Sequence, residues 1–309
     1  MIDDEVYKYD RELLPPTEDG VFKTLLTGND SEPVLRDIIS SILQIPVIEV
    51  TVRNAEPPIS DIDEKRERFD VNCLIDNGEQ VDVELQTSPM RGDNFDNNHS
   101  GIKSRAIFNL CDLHSAQEGR GVSYRKLLRS FQITFCDYTV FPEREDFVNR
   151  FSFRNTDGDE LLDAVGIIFI ELSKLGAVLK KPVEEMTGIE AWSVYLSCAD
   201  EPENAEVVRK LIETKEEIKL ANDILRGISH DPDQRAKFMS RRRFQMDLDH
   251  DKAESFEEGK IEGKIEGILE GKLEIAKQLF ARGMSVDEIT KITGLTREEI
   301  EQLRKQTAI

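Results

Sequence analysis

The sequence predicts an α/β protein, a sheet with helices packed on it, followed by an all-α C-terminal extension. Three observations carry that reading. Short segments of strand length lie at Arg68–Ile75, Gln80–Gln86, Leu128–Asp137 and Val165–Leu172. Apolar residues at helical spacing precede and separate them. From residue 177 onward the pattern is helical.

Taken in order, residues 1–18 are polar, end near Pro15-Pro16 and read as an N-terminal arm. Val21, Phe22, Leu25 and Leu26 recur at helical spacing, as do Val34, Leu35, Ile38, Ile39, Ile42 and Leu43, and Gly28-Asn29-Asp30 separates the two helices. Pro46 stops the second, and Val47–Val50 reads as a first short strand. Residues 54–67, with Pro57-Pro58, read as an exposed loop. The alternating segments 68–75 and 80–86 are joined by Asp76-Asn77-Gly78-Glu79, a hairpin signal that starts the sheet as a meander. A helix is expected over Gly101–Gln117, with further strands at Leu128–Asp137 and Val165–Leu172.

Composition narrows the function. Of 309 residues, 39% are hydrophobic and 33% charged, as suits a globular protein with a highly charged helical part. No apolar run approaches the roughly 18–20 residues that span a membrane, and the acidic N-terminus lacks a signal-peptide core, so a cytoplasmic protein is expected. The four cysteines and four histidines are scattered, without CxxC or HExxH spacing, which argues against a zinc site or a disulfide framework. A net charge of −21 argues against a protein that coats nucleic acid, though a carboxylate site with a bound cation stays compatible with phosphate.

The hairpin carries the chemistry. Positions 69, 71, 73 and 75 are apolar, as are 81, 83 and 85, and both apolar faces must lie on one side of the sheet. A three-residue loop, Asp76-Asn77-Gly78, satisfies this, with Gly78 in the left-handed position. Val71 then opposes Val83, and Asp70 opposes Glu84. A two-residue Asn77-Gly78 turn would set Val71 against Glu84 and mix the faces. Opposed carboxylates repel, and a divalent cation such as Mg²⁺ is the natural compensation. Gln86 shares their face. The alternative is an ordinary solvated polar face on an antiparallel sheet.

The surroundings favour the first reading. Asp70…Glu84-x-Gln86 on a hairpin followed by a helix resembles the PD-(D/E)XK nuclease superfamily. More closely, the chain resembles the Rpn family of recombination-promoting nucleases, which also go under the name of transposases. Three further segments carry the likeness: Asp19-Gly20-Val21-Phe22-Lys23-Thr24-Leu25-Leu26, Arg68-Phe69-Asp70, and Ile167 to Leu175 with its Glu171-Leu172-Ser173-Lys174. The resemblance implies a restriction-endonuclease-like mixed sheet and a DNA endonuclease of recombination, mobile-element or defence biology. It implies catalytic Asp70, Glu84 and Gln86, with Mg²⁺ or another divalent cation on Asp70, Glu84 and the Leu85 carbonyl. Gln86 stands where the superfamily usually has Lys, so a positive charge is missing there, although the Rpn family tolerates Gln. Glu32 and Asp19 are candidates for an additional acid from the N-terminal helices. Lys103 and Arg105 open the next helix and are candidates for phosphate contact, and Gln132 could face the site or solvent. The alternative function is a catalytically inactive nuclease fold that binds or regulates through its C-terminal helices. No DDE triad is evident.

Residues 258–273 repeat a tetrapeptide, EGKI, EGKI, EGIL, EGKL. Each repeat advances about 40° around a helix, so the Ile/Leu row spirals, and each Gly costs about 1 kcal/mol relative to Ala. The Glu-x-Lys triplets inside this repeat have no strand context and are discounted. Pairing of Glu and Lys stripes between copies, a homo-oligomer through the C-terminal helices, stands here beside a solvated spacer. Beyond Gly283, Ser285–Glu288 and Thr296–Glu299 have capping-box form, and Gly294 separates two short helices with Val286, Ile289, Ile292, Leu295, Ile300 and Leu303 as core. The tail resembles a helix-turn-helix, but Glu298, Glu299 and Glu301 make its second helix a poor DNA surface, which favours packing or self-association. Arg241-Arg242-Arg243 is the densest basic cluster. The expected division is an arm (1–18), a nuclease core (19–175), a helical extension (176–250), a repeat helix (251–282) and a helix-turn-helix-like tail (283–309). DNA is the expected partner, with no membrane.

Overall fold

The computed structural model describes residue 10 and residues 13–54, 71–76, 78–87, 99–117 and 123–307. Asp70, Arg68-Phe69, Asn77 and most of the loop expected at 54–67 lie outside them. Their contacts cluster into two compact units, divided between Met239 and Ser240.

In the first unit the described strands form one sheet in the order β1-β2-β3-β4-β6-β5. Strands β1 (Val50–Asn54), β2 (Val71–Ile75) and β3 (Glu79–Gln86) make the antiparallel start. Strands β4 (Ser130–Cys136) and β6 (Val165–Glu171) join it in parallel, and β5 (Val148–Phe151) runs antiparallel to β6. The sheet is therefore mixed, as a restriction-endonuclease-like fold requires. The first strand starts at Val50, not at Val47, because Val47–Glu49 hydrogen-bond to Ser40 and Asp76 before pairing with β2 begins. Strand β5 is not legible in the sequence: four residues that include Asn149 and Arg150 show no clean alternation.

The hairpin register is the expected one, with Val71 opposite Val83 and Cys73 opposite Val81. Gly78 takes φ +91° and donates its N–H to the Ile75 carbonyl at 2.8 Å. A side chain there would be strained by the backbone alone.

Two layers of helix follow from the parity of the strands. Helices α1 (Asp19–Thr27) and α2 (Glu32–Leu43) bury their apolar sides with Val81, Val83, Leu85, Ile133 and Phe135 in one core. The Phe22 and Phe135 rings meet edge to face at 5.7 Å. Helices α4 (Gly188–Cys198), α5 (Ala205–Thr214) and α6 (Glu216–His230) extend this core through Trp192, Tyr195, Leu211 and Leu225. Residues 177–187, expected to be helical, form short 3₁₀ turns instead. Leu14 is buried in the same core, and its N–H bonds to Ser229 Oγ at 2.9 Å, so this end of the arm is fastened. The opposite face of the sheet lies under α3 (Ser100–Ser115), which buries Ile102 and Ala106 with Cys136, Val140, Phe141 and Phe169.

The Glu171-Leu172-Ser173-Lys174 segment has a structural explanation. The fully buried Glu171 carboxylate accepts from the backbone N–H groups of Val140 and Phe141 at 2.6 and 3.0 Å and from Asn149 Nδ2 at 2.8 Å. Lys174 Nζ lies 2.9 Å from it and also donates to the Phe141 and Arg144 carbonyls. This pair fastens the chain between β4 and β5 to the end of β6. Removing one partner leaves a buried charge uncompensated, so Glu171→Ala and Lys174→Met are each expected to cost about 3–5 kcal/mol, read as a fall in the urea midpoint.

Helix α7 (Pro232–Ala281) runs unbroken for 50 residues and crosses the division between the units. In the second unit its last turns pack with α8 (Val286–Thr293) and α9 (Arg297–Thr307) around Ala276, Ile289, Leu295, Ile300 and Leu303. Both capping boxes form. Gly283 and Gly294 take φ +80° and +70° at the helix ends. Ile292, expected in this core, is 57% exposed, because the tail closes against Ala276 and Leu273 of α7, which supply the missing apolar surface. No helix among the described residues is long and apolar enough to cross a membrane.

Candidate active site

The polar face of β3 is formed by Gln80, Asp82, Glu84 and Gln86, because Val81, Val83 and Leu85 occupy the core on the other side. In the parallel register with β4, Asp82 pairs with Gln132, Glu84 with Thr134 and Gln86 with Cys136. These residues form a continuous strip along the centre of the sheet. It is not the solvated face that an antiparallel sheet would allow. Asp82 is 3% and Glu84 2% exposed, and Gln132 and Thr134 are fully buried. The cover is α3, which the parallel connection from β3 to β4 lays across this face.

A carboxylate so deeply buried needs partners. Arg105 Nη2 lies 2.7 Å from Glu84 Oε1, and Asn109 Nδ2 donates to Oε2 at 3.4 Å. Arg105 and Asn109 sit four residues apart on α3, so both point to the same place on the sheet. The Arg105 side chain stays about a third exposed, so the guanidinium spans from the buried carboxylate to solvent. Lys103, two residues earlier, is aimed elsewhere, its ammonium 4.5 Å from the centre of the Phe141 ring. Further along the strip, Ser130 Oγ is held by His114 Nδ1 and Gln117 Nε2, each at 3.0 Å.

Of the other candidates, Glu32 opens α2 and pairs with Arg36 at 3.5 Å, and Asp19 opens α1. Both helices pack on the apolar face, whereas Glu84 belongs to the polar one. Asp70 lies outside the described residues. Leu85 sends its side chain into the core, and Gln86 is half-buried at the end of β3.

The donor set suits a hard cation. The strip is made of carboxylate, amide and hydroxyl oxygens, the ligands that Mg²⁺ and Ca²⁺ prefer. Both amide atoms of Gln132 and the Thr134 hydroxyl are buried without a hydrogen-bond partner among the described residues. Such groups need a water or an ion to satisfy them. No group of three or more His, Cys, Asp or Glu side chains is placed to hold a metal among the described residues, so the described part of the site would furnish only part of a ligand shell. Burial raises the thiols of Cys73 and Cys136, and pushes Cys198 up to about 12, which disfavours them as nucleophiles.

Sequence reasoning passed over Asn109 and Asp137. Asn109 is one polar residue on a charged helix, and only the packing of α3 singles it out. Asp137 follows β4 directly, and its N–H bonds to the Gln86 carbonyl at 3.3 Å. Partial desolvation raises its carboxyl to about 6. The protonated acid is therefore the form that the folded state favours, and stability from this group falls as pH rises from about 4 to 6. Asp137→Asn is expected to raise the melting temperature at pH 8 and to leave it nearly unchanged at pH 4, in thermal scans at both pH values.

With this architecture and polar strip, residues 16–255 match the family described as PD-(D/E)XK nuclease family transposase. The match covers most of the chain, and the protein belongs to that family. Residues 269–305 match the C-terminal HTH domain of the Rpn/YhgA-like nuclease family, which places it among the Rpn-type members. The matched tail starts within α7, in keeping with the apolar residues that α7 gives to its core. No curated protein and no solved structure gives a significant match.

Proposed function

We propose that the protein is a divalent-metal-dependent DNA endonuclease that hydrolyses phosphodiester bonds, in recombination, mobile-element or defence biology. The observation that carries this reading is the placement of Glu84 and Gln86 on the buried polar face of β3, inside the nuclease-family region. The hairpin register supports it, since Val71 opposite Val83 stands one residue pair short of the expected Asp70–Glu84 pair. Asp70, Glu84 and the Leu85 carbonyl would hold the cation, with Mg²⁺ as the expected ion. Bound there, it would lower the pKa of a water and neutralise phosphate charge.

The chain's own residues then divide the work. Gln86 can orient the attacking water through its amide but brings no positive charge. Arg105 supplies that charge from α3. One N–H edge of its guanidinium holds Glu84, and the remaining donors reach the solvent side, where a phosphate would approach. The water oxygen bonds to phosphorus as the bond to the leaving sugar oxygen breaks. Arg105 stabilises the charge that builds on the phosphoryl oxygens. DNA is the partner this chemistry needs, and the helix-turn-helix match agrees with it.

The test is cleavage of supercoiled plasmid with and without Mg²⁺. Wild type is expected to cut only with metal, and Asp70→Asn and Glu84→Gln are expected to abolish cutting. No cleavage with any divalent metal would sink the nuclease reading, and cleavage that survives both changes would place the chemistry elsewhere.

Arg105→Met should slow cleavage by about 10²–10³-fold. Adding Gln86→Lys should restore part of the rate, by returning a cation to the third motif position. Titration with Mn²⁺ followed by electron paramagnetic resonance gives a second readout. Removing the competing guanidinium should tighten Mn²⁺ binding severalfold, whether or not the plasmid is cut. Unchanged cleavage and unchanged Mn²⁺ affinity in Arg105→Met would remove Arg105 from the site.

A further inference from the structure

The tetrapeptide repeat of α7 takes no part in the chemistry above, yet it leaves an ordered apolar row uncovered. Residues 257–270 are all exposed. Within them Ile261 is 58%, Ile265 62% and Leu269 39% exposed. They lie four residues apart on a continuous helix and so form one ridge.

The other three positions of the repeat fix what can cover it. At about 100° per residue, the Glu row (Glu258, Glu262, Glu266) lies about 60° to one side of the Ile row. The Lys row (Lys260, Lys264) lies about 100° to the other side, and the Gly row about 160° away. The helix thus has one apolar face, flanked by acid on one side and base on the other, and a bare back. A Cβ added at Gly259, Gly263 or Gly267 would meet nothing within 4 Å, so nothing in the chain covers that back.

We propose that this face pairs with the same face of a second copy of the chain, with the two α7 helices parallel. The orientation follows from symmetry. In a parallel pair the two-fold axis runs along the helices and exchanges left with right. Each Glu row then lies beside the partner's Lys row, on both flanks. In an antiparallel pair the two-fold axis lies across the helices and keeps left on the left. Glu then meets Glu and Lys meets Lys, which is unfavourable. The row advances about 40° per repeat, so the contact is a crossing and not a long seam. Interlocking i±4 ridges cross at about −50°. Leu273, the next residue in the row, is already packed against the tail, which ends the ridge.

Sedimentation velocity on the full chain tests this. Wild type is expected at twice the 35.3 kDa mass of one chain. Lys260→Glu/Lys264→Glu and Glu262→Lys/Glu266→Lys each put like charges on both flanks and should weaken the dimer roughly tenfold or more. An equimolar mixture of the two variants should pair again, which also shows that neither has simply misfolded. For orientation, Ile261→Cys in a Cys111→Ser background, which removes the exposed native thiol, should form a disulfide between copies on oxidation. An antiparallel pair centred on Ile265 would form it only when mixed with Leu269→Cys. Monomeric wild type, variants that remain as dimeric as wild type, or a mixture that fails to re-pair would each overturn the proposal, and disulfide formation only in the Leu269→Cys mixture would overturn the parallel orientation.

Discussion

The register of the β2–β3 hairpin divides the chemistry of this protein between the two faces of its sheet. Val81, Val83 and Leu85 must enter the main core, and strand geometry then sends Gln80, Asp82, Glu84 and Gln86 to the other side. A slip of one residue would bury the carboxylates among Phe22, Ile133 and Phe135 and expose the valines. The left-handed Gly78 and the bonds from the backbone of Ile48 and Glu49 to Asp76 hold the turn that sets this parity. Packing on one face therefore determines chemistry on the other.

A second constraint acts on Glu84. Buried at 2% exposure, its charge depends on Arg105 and Asn109 of α3. The helix that shields the carboxylate from water also carries the groups that keep it ionised. In this family member the third motif position is a neutral Gln86, and Arg105 is the cation found against Glu84. Charge at such a site is a property of the folded neighbourhood, and an element distant in sequence can supply it. The Glu171–Lys174 pair follows the same logic without a reactive site, since its four oxygen and nitrogen partners belong to the segment that links β4 to β5 and to β6. The resemblance rested partly on that segment, and its physical meaning is architectural.

The C-terminal unit differs in kind. Its small core closes α8 and α9 against the end of α7, while the repeat before it packs on nothing in the chain. Apolar side chains left exposed in a periodic row, between rows of opposite charge, are a pattern that only an association would use.

The sequence alone determined the strands at 71–75, 79–86, 130–136 and 165–171 to within a few residues, the three-residue hairpin loop, both N-terminal helices and both capping boxes. These are local matters: side-chain period, left-handed glycine and short-range capping act within a few residues and leave their mark in order along the chain. The order of the strands, the edge strand β5, and the burial of Glu84 under α3 were decided only in three dimensions. So was the reach of Arg105 and Asn109 to a carboxylate more than twenty residues away. The exposure of Ile292 belongs with them, because Ala276 and Leu273 of a different helix took the place it would have filled. A period in the sequence shows which face of an element is apolar. What comes to lie against each face depends on how distant elements pack, and that is settled by total burial across the fold.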